Sequence, residues 1–165
     1  MTGIIEELKK FYEEVDRRVQ ELETIHAERL NCKRGCASCC IDGITVFQIE
    51  AENIKLHHAK LLQEEKPHAI GRCAFLDEAN ACRIYENRPY VCRTQGLPLR
   101  WLDEESEIEY RDICPLNEIG EPIESLEPEK CLTIGFFESR LATLQSEFSQ
   151  GKMNRVALRS LFKCS

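Results

Sequence analysis

Residues 32–40 read CKRGCASCC, so that four cysteines fall within nine positions of the chain. Metal ions bind the deprotonated thiol, and a turn of two or three residues lets two cysteine sulfurs face one ion. The spacing of Cys36 and Cys39 meets this requirement, and Gly35 gives the backbone the freedom to turn. Cys39 and Cys40 are adjacent in the sequence, and the side chains of adjacent residues point to opposite sides of an extended segment. They would then bind different metals, or one would be a ligand and the other a packing group.

Four more cysteines follow this cysteine knuckle (residues 32–40) over the next stretch of the chain. Eight cysteines suffice for two tetrahedral metal sites, or for one four-iron cluster with spare thiols. Basic residues near them in the sequence, among them Arg72, Arg83 and Arg93, can offset the negative charge of bound thiolates. We therefore predict a metal centre with ligands drawn from Cys32, Cys36, Cys39, Cys40, Cys73, Cys82, Cys92 and Cys114.

The stretch from Cys82 to Arg93 reads CRIYENRPYVCR. Together with the cysteine knuckle and Cys73, it resembles the CxxCxxCC cysteine-cluster family, and the resemblance covers residues 32–116. It implies a zinc- or iron-chelating protein, often one with an iron–sulfur cluster. The cofactor that we expect is therefore a four-iron iron–sulfur cluster or zinc. The chain departs from the family at one point, because three residues rather than two separate the first two cysteines of the knuckle.

Three residues of this stretch are expected to contact the cofactor without being its ligands. Arg88 would neutralise thiolate charge, Tyr85 would pack over the site, and Pro89 would fix the turn before the last cysteine of the stretch. Cys131, in contrast, falls among apolar residues and is expected to be a buried thiol. Cys164 is expected to be free.

The hydrophobic pattern predicts a mainly α protein in a single domain, in which long amphipathic helices frame an irregular metal site. Apolar residues recur every three or four positions in these helices, and alternating apolar residues at 99–113 predict one small β-hairpin. The helices are expected at 4–30, 46–63 and 128–149, with a shorter one at 154–162. The segments of the domain are an N-terminal helix (1–31), a cysteine-cluster core (32–116) and a C-terminal helical extension (117–165).

Composition and charge restrict the function further. The net charge of −7 at pH 7 argues against nucleic acid as the main partner. The sequence contains no apolar run of membrane-spanning length and no signal-peptide core, so we expect a cytoplasmic protein without a membrane partner. Ten cysteines in a reducing compartment favour metal ligation over disulfides. Residues 100–129 hold Arg100 and Arg111 against eleven acidic residues. This acidic segment is expected to be a solvated surface, and a docking surface for a basic protein partner is the alternative.

Three classes of function stay open on the sequence alone. The first is a metal-binding module with a structural or sensory role, which we favour. The second is a protein-modifying enzyme, because flagellin lysine methylases look related through the same cysteine pattern. The third is a thiol redox protein, in which Cys36 and Cys39 would cycle between dithiol and disulfide. The chain has no glycine-rich loop of the kind that binds a nucleotide cosubstrate.

Overall fold

The computed structural model describes residues 2–103 and 105–163. The structure is 46% helical and 12% strand, with five α-helices and two small sheets in the part described. The prediction of a mainly α fold with one hairpin was therefore wrong, and the fold is mixed α/β. The physical reason is that several short apolar segments pair as strands with distant parts of the chain instead of extending a helix. Cys164 lies outside the described residues.

The elements are short apart from the first and the last helix. In chain order they are α1 (Thr2–Ile25), β1 (Thr45–Phe47), α2 (Gln48–His57), α3 (Ala59–Glu64), α4 (Tyr90–Arg93), β2 (Leu99–Asp103), β3 (Ile108–Asp112), β4 (Leu132–Thr133), α5 (Ile134–Phe148) and β5 (Arg155–Ala157). Single 3-10 turns occur at Tyr85–Asn87, Pro115–Asn117, Ile123–Ser125, Pro128–Lys130 and Leu158–Leu161. Within the described ranges, none of the helices combines the length and apolar character that crossing a membrane requires.

The described residues form two compact units. Unit 1 consists of the described parts of Met1–Leu8, Lys33–Pro89 and Ala142–Ser165. Its antiparallel sheet pairs β1 with β5. The rings of Phe75 and Phe162 lie 5.0 Å apart in its hydrophobic core, which also contains the side chains of Cys73, Ala74 and Leu76. The loop that carries Cys73 is therefore anchored in the core of this unit.

Unit 2 consists of Lys9–Cys32 and Tyr90–Leu141. Its three-stranded sheet has the order β3-β2-β4, in which β2 and β3 form an antiparallel hairpin and β4 pairs parallel to β2. The rings of Phe11, Tyr90 and Phe137 pack together, with centroids 5.9–6.3 Å apart. This aromatic contact fixes α4, which carries Cys92, against α1 and α5.

All four predicted helices differ from the elements that form. The predicted helix 4–30 ends at Ile25. The predicted helix 46–63 begins only after β1 and is interrupted at His58, between α2 and α3. The predicted helix 128–149 begins at Ile134, because β4 takes the preceding residues. The predicted helix 154–162 is β5 followed by a 3-10 turn. At 46–47, 132–133 and 155–157 a strand pairing supplies backbone hydrogen bonds that compete with those of a helix.

Candidate metal centre

From Lys33 onward the cysteine knuckle folds as two consecutive turns of unit 1. The Cys36 N–H donates to the Lys33 carbonyl (2.9 Å), and the Cys40 N–H donates to the Ala37 carbonyl (3.1 Å). Gly35, inside the first turn, has a φ of +87°, a conformation that glycine adopts without the strain of a side chain. The knuckle is therefore a turn structure, which allows neighbouring cysteines to approach each other.

The thiols of Cys39 and Cys40 are in hydrogen-bond contact, so these neighbours do not serve opposite sides of an extended segment. This hydrogen bond is the main reason why the pKa of Cys39 falls to about 6, against the opposing effect of burial. The charge of Arg88 acts in the same direction. The lowered pKa favours the thiolate of Cys39, which is the form that binds metals. The sulfur of Cys36 lies 3.9 Å from the Ser38 hydroxyl.

Cys73 and Cys82 form a second pair of thiols in unit 1. Burial raises the pKa of both thiols, and the charge of Cys73 raises that of Cys82 further. Cys73 belongs to the hydrophobic core of the unit, and Cys82 packs against the same core. The backbone holds the pair together through Leu76, which forms a β-bridge with Cys82. The Leu76 N–H also donates to the Cys73 carbonyl (3.2 Å).

A backbone hydrogen bond joins the loops that carry these two pairs. The Cys73 N–H donates to the Cys40 carbonyl (3.0 Å), so the two loops run side by side. The positive charge of Arg88 favours the thiolate of Cys39 in one pair and of Cys82 in the other. One cation therefore lies within electrostatic reach of both pairs.

The side chains predicted to support the centre occupy the segment that leads to α4. The Arg88 guanidinium lies 4.0 Å from the centre of the Tyr85 ring, a cation–π contact that restrains its position. Tyr85 itself is 56% exposed. Pro89 directly precedes α4, on which Cys92 is half-buried.

An ion pair that the sequence analysis missed fastens the segment after the cysteine knuckle to the segment that precedes Cys73. Asp42 accepts hydrogen bonds from the Arg159 Nε (2.9 Å) and the Gly71 N–H (3.0 Å), and these lower its pKa to about 2. Arg159 also donates to the carbonyls of His68 (2.6 Å) and Arg72 (2.7 Å). No local pattern reveals this contact, because Asp42 and Arg159 are 117 positions apart.

Unit 2 holds four of the cysteines. The three predicted ligands among them lie on separate segments, namely the segment after α1 (Cys32), α4 (Cys92) and the residue before a 3-10 turn (Cys114). The fourth, Cys131, is 2% exposed, and burial raises the pKa of its thiol. Cys131 is therefore the buried thiol that the sequence predicts.

Comparison with protein families gives one match. Residues 31–115, just over half of the chain, match the CxxCxxCC family, described as "Putative zinc- or iron-chelating domain". The chain belongs to the CxxCxxCC family. All eight predicted ligands lie inside the matched segment of this CxxCxxCC chain. No curated protein and no solved structure matches it.

The candidate ligands of the CxxCxxCC domain fit the metals in the family description. They are all sulfur donors, and both zinc and iron–sulfur clusters accept four thiolates. Within residues 2–103 and 105–163, no group of three or more Cys, His, Asp or Glu side chains is arranged to hold one metal ion. Four of the five thiols that unit 1 has within Lys33–Pro89 instead form two pairs on adjacent loops, and their chemistry suits either metal.

Proposed function

We propose that the chain is a metal-binding protein that holds an iron–sulfur cluster through cysteine thiolates. The observation that carries the proposal is the pairing of thiols on two loops of unit 1, which the hydrogen bond from the Cys73 N–H to the Cys40 carbonyl (3.0 Å) joins. Each pair offers two sulfurs, and the four together match the number that a tetrahedral zinc or a four-iron cluster needs. The proposed ligands of unit 1 are Cys39, Cys40, Cys73 and Cys82, with Cys36 in the adjoining turn.

The predicted ligands of unit 2 stay part of the proposal on the strength of the family match. Cys32, Cys92 and Cys114 lie within residues 31–115, and the resemblance to the family implies that they bind metal. The choice of an iron–sulfur cluster over zinc rests on the same resemblance, because sulfur donors suit both. A bound cluster would supply a redox-active centre, whereas zinc would supply a structural cross-link.

Arg88 has a defined part in this proposal. Four thiolates around a metal centre carry excess negative charge, which a fixed cation stabilises. The Tyr85 ring restrains the Arg88 guanidinium at 4.0 Å, where its charge favours the thiolates of Cys39 and Cys82. We also propose a cytoplasmic location, because a centre of this kind needs its thiols to stay reduced.

Metal analysis of protein purified without oxygen tests the function. We expect stoichiometric iron and acid-labile sulfide, together with broad visible absorption. Stoichiometric zinc in colourless protein would show that the bound metal is zinc and that the protein holds no cluster. Protein that takes up neither metal stoichiometrically, even after anaerobic reconstitution, would overturn the proposal.

Cysteine variants test the ligand assignment. Cys82→Ser and Cys92→Ser should abolish stoichiometric metal, because each removes a thiolate that serine does not replace. Cys131→Ser and Cys164→Ser are the matched controls and should retain it. Should a variant fail to fold by circular dichroism, alkylation of wild-type thiols, mapped by mass spectrometry, gives the same information. Loss of metal should expose Cys39, Cys73 and Cys82 to alkylation, and unchanged alkylation would contradict the assignment.

A further inference from the structure

Asn117 is completely buried in unit 2 and contacts Cys32, Cys114 and the backbone that follows α4. Its Nδ2 donates to the Cys32 Sγ (3.3 Å) and to the Gly96 carbonyl (2.8 Å). Its Oδ1 accepts a hydrogen bond from the Asn31 N–H (2.8 Å), and its own N–H donates to the Cys114 carbonyl (2.7 Å). The oxygen and the nitrogen of the side-chain amide therefore both have hydrogen-bond partners, and the Cys32 sulfur is one of the partners of the nitrogen.

The backbone at Gly96, four residues after Cys92, makes room for the Cys32 sulfur. A Cβ at position 96 would lie 2.6 Å from the Cys32 Sγ and 3.3 Å from the Asn117 Nδ2. The first distance is far shorter than non-bonded carbon and sulfur atoms allow. The sulfur thus lies in a cradle formed by main chain on one side and by the Asn117 amide on the other.

We propose that Asn117 is a positioning residue, which holds the Cys32 sulfur for metal binding through an N–H···S hydrogen bond. This inference rests on the proposed function. A hydrogen bond to an ionised acceptor is stronger than one to a neutral acceptor, so the Asn117 amide would hold the sulfur most firmly when a metal has bound it as thiolate. Partners of this kind orient metal ligands, and their loss lowers metal affinity about 10–100-fold.

The family match does not account for this role, because Asn117 lies two residues beyond the matched segment 31–115. Its contacts also explain how Cys32 is held in spite of its irregular spacing from Cys36. The sulfur takes its position from a buried amide 85 positions away, rather than from the local turn of the knuckle.

Cadmium, which binds thiolate sites and has an NMR-active isotope, is the probe for this inference. In the full-length protein loaded with that isotope, we expect scalar coupling between cadmium and the Asn117 Nδ2 protons. The coupling passes through the hydrogen bond and the Cys32 sulfur, so it arises only if Cys32 binds the metal and Asn117 donates to it. A purely structural role for Asn117 would give no coupling.

Two variants extend the test to affinity. Asn117→Ala should bind cadmium about 10–100-fold more weakly than the wild type in competition with a chelator. Gln145→Ala is the matched control, because Gln145 is also fully buried and hydrogen-bonded, with Ile49 and Lys152 as partners instead of a sulfur. Its cadmium affinity should be close to that of the wild type.

The outcomes separate this inference from the proposed function. Stoichiometric cadmium without coupling to Asn117, and equal affinities for the two variants, would overturn the role of Asn117 and leave metal binding intact. Failure of the wild type to bind cadmium would overturn the proposed function, and the positioning role with it. Should Asn117→Ala not fold, the coupling in the wild type decides the question alone.

Discussion

At the scale of single residues, small main-chain details determine where sulfurs can lie. Gly35 and Gly96 have φ values of +87° and +96°, and both therefore adopt a conformation that favours glycine. They differ in their surroundings, because a Cβ at Gly35 would meet only the Ala79 carbonyl at 3.6 Å, whereas one at Gly96 would overlap the Cys32 sulfur. Gly96 is thus required both by its turn and by the sulfur beside it.

Gly96→Ala should destabilise the protein for both of these reasons. A non-glycine residue at this φ costs about 1–3 kcal/mol, and the clash with the Cys32 Sγ at 2.6 Å adds to this cost. The free energy of unfolding in urea, measured on metal-free protein, gives the sum of the two effects.

Gly71→Ala is the matched control for this measurement. Gly71 has a φ of +98°, and a Cβ there would meet nothing within 4 Å, so the variant reports the backbone cost alone. We expect Gly96→Ala to lose more stability than Gly71→Ala. Equal losses would show that the Cys32 sulfur does not restrict position 96.

The candidate ligands could be proposed from the sequence because their chemistry is carried by residue type and short spacing. Only cysteine supplies a thiolate, and the spacing of Cys36 and Cys39 is local. Asn117 could not be found in this way, since asparagine is common in loops and its sulfur partner is 85 positions away. The contact between Cys39 and Cys40 was also missed, because it depends on a turn where an extended segment was assumed.

At the scale of elements, the same distinction between local and distant information applies. The regular spacing of Leu8, Phe11 and Val15 predicted α1, and all three side chains are buried. Strands β1 and β5 have only three residues each, and Thr45 and Arg155 at their starts are 110 positions apart. A hydrophobic period in the sequence could therefore not reveal them. On α5 the predicted apolar stripe included both Phe136 and Phe137. Phe137 is buried, but Phe136 is 59% exposed, so the stripe was narrower than predicted.

The hairpin predicted at 99–113 is present, and its register creates a charge problem. Arg100 on β2 lies directly opposite Arg111 on β3, and like charges in that position repel. The Glu109 carboxylate accepts hydrogen bonds from both, at 2.6 Å from Arg100 and 2.7 Å from Arg111. One carboxylate of the acidic segment 100–129 therefore pairs with arginines of the same hairpin. The binding of a basic protein partner by the other acidic residues of the segment stays a prediction.

Glu109→Gln should lower the melting temperature at neutral pH, because it leaves the two arginines opposite each other without a counter-charge. Arg100 and then Arg111 lower the pKa of Glu109, so its contribution to stability is fully present above the unfolded value of about 4.3. That contribution is lost as the pH falls through the lower folded pKa. The difference in Tm between wild type and variant should therefore shrink from near pH 7 to strongly acidic pH.

Glu105→Gln is the control for this pH dependence, since it removes the same charge from the exposed turn of the same hairpin. Its effect on Tm at neutral pH should be smaller than that of Glu109→Gln. A Tm difference for Glu109→Gln that stays constant down to strongly acidic pH would contradict the bridging role of the carboxylate.

At the scale of the whole molecule, the candidate ligands lie where regular structure is sparse. Between α3 and α4 the described chain contains one 3-10 turn and an isolated β-bridge. Hydrogen bonds such as Cys73 N–H to Cys40 carbonyl and the Asp42–Arg159 ion pair hold the loops of unit 1. These contacts lack the repeating hydrogen bonds of a helix or a sheet, and a bound metal would add a cross-link between the loops.

Metal removal should therefore loosen residues 32–114 while α1 and α5 keep their secondary structure. A metal site rarely exists in the unfolded chain, so the free energy of metal binding becomes free energy of folding. A metal at about 100 times its dissociation constant contributes about 2.7 kcal/mol, which corresponds to amide hydrogen exchange about 100-fold faster in these loops after chelation. Mass spectrometry of loaded, stripped and reloaded protein measures this change, with Cys131→Ser as a control that should behave like the wild type. Exchange that is unchanged after complete removal of the metal would show that the metal does not hold these loops.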